Sequence, residues 1–197
     1  MSRETPLHDQ HAARGADFTD FGGWDMPVSF DSIRTEHTAV RESVGIFDVS
    51  HMGEIHVTGP ESTTLCQRLT TNDVQALSPG AAQYSTVTDE DGQILDDIML
   101  FQLDTDEYMF VPNAGTDEWM TEWWTTHRDD WEIDASVTNQ TMEYGMLAVQ
   151  GPAAVETLEE ATDAAIAELD RHAITPASVA GVECYVSRTG YTGEDGF

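Results

Sequence analysis

Two adjacent aspartates, Asp96 and Asp97, stand inside the otherwise apolar run ILDDIMLF at residues 94–101. In a strand, neighbouring side chains point to opposite faces. Ile94, Ile98 and Leu100 therefore share the face of Asp96, and Leu95, Met99 and Phe101 share that of Asp97. Both faces are apolar, so at least one carboxylate is expected in a largely desolvated setting, where an unpaired charge is costly. A carboxylate held at a pocket wall can bind or deprotonate a nitrogen-bearing ligand. The plainer alternative is that each aspartate pairs with an arginine or accepts backbone hydrogen bonds near a hairpin. A second candidate is SRTGYTGEDGF at 187–197, where Gly190, Gly193 and Gly196 surround Tyr191 and Glu194. Such glycines suit a tight backbone turn beside a ligand, or a hairpin tip with none. FGGWDMPVSF at 21–30 reads either as a packed aromatic turn or as a binding loop.

Other chemistry-bearing residues point elsewhere. His8 and His11 have one-face helical spacing, but no third or fourth ligand follows at a convincing distance, so surface or capping roles are expected and no metal. Cys66 and Cys184 are far apart and flanked by apolar residues, which suits buried free thiols better than a disulfide.

The elements that must position these residues follow from periodicity. Ile33, His37, Val40 and Val44 recur at helical spacing, opened by Ser29 or Asp31 and closed by Gly45. IFDVSHMGEIHVTGP alternates like one or two strands, and a short helix through Leu65 and Leu69 follows. AAQYSTVT, ILDDIMLFQL and YMFVPN, separated by Asp89 to Gly92 and by DTDE, predict an antiparallel meander. Residues 116–128 place Trp119, Met120, Trp123, Trp124 and His127 on one helical face, read as core, and WEIDASVT returns as a strand. After the polar break TNQTMEYG, a second βα pattern runs through MLAVQGPAAVETL and AAIAEL to VECYVSRTGYTGEDGF. The fold class is α+β.

Composition limits the function. Among 197 residues, 37 Asp and Glu face 8 Arg, with no Lys, for a formal charge of −29. Eight scattered arginines cannot build the basic track that nucleic acid or an anionic membrane requires. No stretch approaches the roughly 18 to 20 apolar residues of a membrane span. A soluble, cytoplasmic protein is expected, kept in solution in concentrated salt, where the repulsion among its carboxylates is screened.

TPLHDQHAARGADFTDFGGWDMPV, AVRESVGIFDVSHMGEIHVTGP, GQILDDIMLF, LAVQGP and SRTGYTGEDGF, in that order, resemble the aminomethyltransferase of the glycine cleavage system, the T-protein, from Thr5 to Phe197. The resemblance implies tetrahydrofolate-dependent transfer. An aminomethyl group on the lipoyl arm of H-protein yields ammonia and leaves its carbon as methylenetetrahydrofolate. Folate is the co-substrate, lipoylated H-protein the partner, and neither metal, nucleic acid nor membrane takes part. By residue matching, Asp97 falls beside the reacting folate nitrogen as the catalytic residue, while Tyr84, Asn113 and Tyr191 fall in the folate pocket. Tyr84 as a core residue and Asn113 as a strand terminator remain alternatives.

The resemblance further implies two intertwined α/β subdomains. Residues 1–52 and 141–197 form the first, with 53–140 inserted as the second. Family chains run on for nearly as long again, through a glutamate, an arginine and a β-rich third domain. The chain therefore reads as a C-terminally truncated fragment of poor activity on its own. Gln93, where a second glycine is common, and Pro112, which cannot donate in a ladder, are smaller departures. Two other functions stay open: the folate-binding domain of a dimethylglycine or sarcosine type of oxidative demethylase, and a non-catalytic folate-binding protein.

Overall fold

A computed structural model describes residues 2–197, which divide into two compact units. One runs to Ser50 and resumes at Gly145; the other is His51–Tyr144.

The first unit opens with β1 (Arg3–Glu4), α1 (His8–Ala13), β2 (Asp17–Phe21), β3 (Trp24–Ser29), α2 (Ile33–Glu42) and β4 (Gly45–Asp48). β2 and β3 form a hairpin and β1 adds in parallel to β3. Ser32, rather than Ser29 or Asp31, starts α2: its hydroxyl accepts from the Thr35 amide at 3.1 Å. Glu36 reaches back to the amides of Phe30 and Asp31, at 2.6 and 2.7 Å, satisfying two donors just ahead of the helix. The apolar stripe expected on this helix is only partly realised. Val40 is buried, whereas Ile33 is 82 % exposed and His37 is exposed, so packing is confined to the C-terminal end.

The second unit contains β5 (Ile55–Thr58), α3 (Ser62–Leu69), β6 (Ala81–Thr88), β7 (Ile94–Asp104), β8 (Glu107–Val111), α4 (Asp117–Asp130) and β9 (Ser136–Asn139). The five strands form one antiparallel sheet in the order β6-β7-β8-β5-β9, which contains the expected meander. Alternation decides its inner face: Ile55 and Val57, Ile98 and Leu100, Tyr108 and Phe110 are all buried in one cluster with Leu65, Cys66, Met120 and Trp124 from the helices. Burying each large side chain contributes on the order of 1.5–3 kcal/mol. The tryptophan stripe splits. Trp124 stacks on Phe110 with ring centroids 4.2 Å apart, while Trp119 is exposed and Trp123 half-buried against His127. A Cβ at Gly53 would lie 2.9 Å from Pro112 Cγ and 3.0 Å from Asp117 Cβ, so glycine permits the chain to enter β5 this close to both.

The first unit is completed by β10 (Leu147–Gln150), antiparallel to β4, then α5 (Ala154–Glu159) and the hairpin β11 (Ile174–Val179) and β12 (Val182–Ser187). AAIAEL forms only a 3₁₀ turn at Ile166–Glu168. Gly151 follows β10 at φ +133°, where a Cβ would meet Ser43 O at 2.5 Å and Val40 O at 2.7 Å. The motif IFDVSHMGEIHVTGP thus supplies two strands, β4 to one unit and β5 to the other.

Candidate functional site

The site is built where the β7–β8 ladder ends. Pairing runs as far as Met99 opposite Val111, and the next residue, Pro112, has no amide proton to continue it. Pro112 therefore limits the strand without preventing its pairing. Beyond it, Asn113 replaces the ladder with its side chain. Its Nδ2 lies 3.2 Å from the Asp97 carbonyl, 3.0 Å from Asp97 Oδ1 and 2.6 Å from Asp96 Oδ1, and its two protons serve these three acceptors.

Asp96 and Asp97 differ sharply. Asp96 is 7 % exposed, on the core face with Ile98 and Leu100. It accepts from the amide of Asp97 at 2.9 Å, from Asn113 Nδ2, and from the Asn113 amide at 3.3 Å. The Thr116 hydroxyl lies 2.8 Å from its Oδ2 and 2.7 Å from the Asn113 carbonyl. The desolvated carboxylate is thus Asp96, satisfied by a shell of amide and hydroxyl donors; hydrogen bonding to amides is how such burial is tolerated. Asp97 points to the opposite face and is exposed, with Leu95 and Met99 beside it only half-buried. Of the two carboxylates, at least one of which is expected to be desolvated, Asp96 is the buried one. Each of the Asp97 oxygens has one donor: Asn113 on Oδ1, and the Tyr84 phenol on Oδ2 at 3.0 Å.

Tyr84 is not a core residue, being 54 % exposed. It sits opposite Met99 on β6 and leans diagonally to Asp97, two residues along β7. The hydrogen bond to Asp97, then desolvation and the charges of Asp97 and Asp96, hold the phenol proton on beyond the usual tyrosine range. The structure therefore gathers Tyr84, Asp97 and Asn113 into one cluster. Tyr191 belongs to the first unit, 62 % exposed and edge-on to Phe47 at 5.8 Å. Its loop is anchored by the fully buried Gln150, whose Nε2 donates to Thr189 O at 3.2 Å and whose Oε1 accepts from Thr192 at 3.0 Å. In the same loop Glu194 pairs with Arg41 at 2.7 Å and Asp195 with Arg188 at 2.6 Å.

Two residues with a bearing on this chemistry are not evident from residue type alone: Asp96 as a buried anchor and Thr116. The sequence PNAGT, a proline followed by Asn and Thr three apart, is the signal that a capped turn follows β8. Glu54 is 2 % exposed and both its oxygens are buried without a hydrogen-bond partner. Burial first, then the charge of Asp117, pushes its carboxyl up to about 8. His8 and His11 are occupied separately, by Asp25 at 2.9 Å and Asp48 at 2.8 Å. Among the described residues no group of three or more His, Cys, Asp or Glu could hold a metal ion, and no helix is long and apolar enough to cross a membrane. Both cysteines are free, Cys66 buried and Cys184 half-buried.

Comparison with known proteins adds four findings. Residues 7–197 match the family described as the GCVT N-terminal domain. A protein named probable aminomethyltransferase, from Natronomonas pharaonis, is 55 % identical over 195 residues, covering 98 % of this chain and 54 % of its own length, so the chain spans about half of that relative. The crystal structure of glycine cleavage system aminomethyltransferase T from Bartonella henselae superposes with a TM-score of 0.91 at 31 % identity, over 100 % of this chain and 52 % of that one. A chain of heterotetrameric sarcosine oxidase from a Corynebacterium species reaches a TM-score of 0.63 at 14 % identity, over 98 % of this chain and 84 % of that one, which shows a shared fold and no more.

Proposed function

Since the chain belongs to the GCVT N-terminal domain family of aminomethyltransferases, we propose that it carries the folate side of aminomethyl transfer in glycine cleavage, with Asp97 as the catalytic residue. The co-substrate is tetrahydrofolate and the donor is the aminomethyl-lipoyl arm of H-protein. The observation that carries this reading is the pair of donors on Asp97: Tyr84 and Asn113 fix both oxygens of a carboxylate that remains accessible.

The residues present fit such a co-substrate. Tyr84 offers an exposed aromatic face suited to a flat heterocycle, and Asp97 offers a fixed negative charge for a nitrogen that becomes more positive as it reacts. Folate, when bound, supplies the nitrogens that receive the carbon. In the overall balance, two acceptor N–H protons end on the departing lipoyl sulfur and the departing amine nitrogen, as carbon–sulfur and carbon–nitrogen bonds give way to two new carbon–nitrogen bonds. Asp97 can take and return a proton at that point while its charge favours the cationic nitrogen. Asn113 is held to a different task from direct recognition through its amide protons, because those are committed to Asp96 and Asp97. Tyr191, on a loop of the first unit fixed by Gln150, is proposed as a folate-binding residue from the family resemblance alone. We place the protein in the cytoplasm, in concentrated salt, on the strength of its charge.

The test is Asp97→Asn in the intact protein with aminomethyl-loaded H-protein. Tetrahydrofolate binding should stay within a few fold by titration calorimetry, while methylene transfer falls by about 10² or more. Undiminished turnover would remove Asp97 from the mechanism. The sarcosine oxidase likeness, limited to fold, gives no support to the oxidative alternative.

A further inference from the structure

We infer that Asp96 is a positioning residue: acting through Asn113, it sets the orientation of the Asp97 carboxylate. The inference rests on the reading of Asp97 given above, but its geometry is independent of it.

The groups around Asp96 are nearly all donors. The Asp97 amide and Asn113 Nδ2 meet Oδ1, and the Asn113 amide and the Thr116 hydroxyl meet Oδ2. An ionised carboxylate is the one side chain of this size that accepts on both arms. An asparagine in its place would turn an NH₂ toward one pair of these groups: on the Oδ2 side the Thr116 hydroxyl can rotate to accept it, whereas on the Oδ1 side both partners are N–H groups, and the one free to rotate is the Asn113 side chain. Rotation has a direct consequence for Asp97. Asn113 Nδ2 is the sole side-chain donor to Asp97 Oδ1 among the described contacts, and a turned carboxamide would present oxygen to oxygen there. Asp97 would then be held by Tyr84 alone and free to swing about that bond. Burial makes the device stiff: Asp96 sits among Ile98, Leu100 and the core, and leaving it would cost the hydrogen bonds of a nearly water-free site. The adjacency of one buried and one accessible aspartate, with a single carboxamide bridging them across the gap left by Pro112, thus acquires a purpose. The inner acid fixes the bridge and the bridge fixes the outer acid.

The experiment uses the ¹⁵N-labelled protein and reads the Asn113 carboxamide protons, assigned by their loss in Asn113→Ala. With Asp96→Asn, both protons should move, including the one facing Asp97. Retention of that proton's shift would overturn the proposal. In transfer assays Asp96→Asn should lower kcat by about 10-fold or more with the folate KM changed less than about threefold, the pattern of a misplaced catalytic group. The Asp96→Asn/Asn113→Ala double variant should be no slower than Asn113→Ala alone, whereas independent structural damage would multiply the losses. Should Asp96→Asn fail to fold, Thr116→Val, which removes one donor from Asp96 and keeps the core, should shift the same two signals in the same direction; unmoved signals would overturn the proposal equally. If Asp97→Asn retains full turnover while Asp96→Asn still moves the Asn113 protons, the positioning stands and the catalytic assignment of Asp97 falls.

Discussion

At the scale of single residues, the protein separates acids by environment. Asp96 is dry and saturated with donors, Asp97 is accessible and held by two, and the Glu54 carboxyl is dry with no hydrogen-bond partner among the described residues. The last has a measurable consequence for stability. In the unfolded chain Glu54 loses its proton near the ordinary 4.5, whereas the folded protein keeps it to about 8. Between those values the native state binds more protons, so this group's contribution is full below pH 4.5 and is lost as pH rises through the window, by up to about 1.4 kcal/mol per pH unit. His56 works the other way: burial chiefly lowers its pKa, so its share of stability is lost as pH falls below 6.5. Denaturant midpoints at pH 7 and pH 8 should therefore decline with pH in the native sequence, and the decline should be shallower in Glu54→Gln. Equal slopes would refute the assignment. A tyrosinate absorbance titration offers a second check at this scale. Asp97→Asn should bring the Tyr84 ionisation to lower pH, because an acceptor that favours the phenol has been weakened.

At the scale of elements, glycines and turns decide where strands stop. Gly151 at the end of β10 occupies a backbone region that side chains rarely adopt, against two carbonyl oxygens. Gly151→Ala should cost roughly 2 kcal/mol or more, read as a lowered thermal midpoint; a change within a degree would mean that Val40 and Ser43 yield easily. The meander β6 to β8 was legible beforehand because alternation and two polar turns agree on the same register. Helix α2 was legible in extent but not in burial, since apolar spacing reports which face could be covered and not whether anything covers it. Asp97, Tyr84 and Asn113 could be singled out by their types and by family likeness. The bridge joining them could not, because it depends on the chain folding back after Pro112, a tertiary event invisible to periodicity. For the same reason the choice of which aspartate would be buried went to Asp96: the ladder places it toward the helices.

At the scale of the whole molecule, charge dominates. With 37 acids against 8 arginines, the described ion pairs of arginine, such as Arg41 with Glu194 and Arg188 with Asp195, neutralise only a small share of the surface. The remaining carboxylates repel one another over about 30 Å in 10 mM salt and about 3 Å in 1 M. Circular dichroism should accordingly show loss of structure in dilute buffer and recovery in molar KCl, and a melting midpoint indifferent to salt would contradict this account. The two thiols make the same transition readable. Cys66 is sealed beneath the five-stranded sheet of one unit, while Cys184 sits half-covered on the hairpin of the other. A maleimide therefore has one target in each half of the molecule: alkylation of Cys66 on desalting times the opening of its unit, and Cys184, already half-covered, gives the baseline for it.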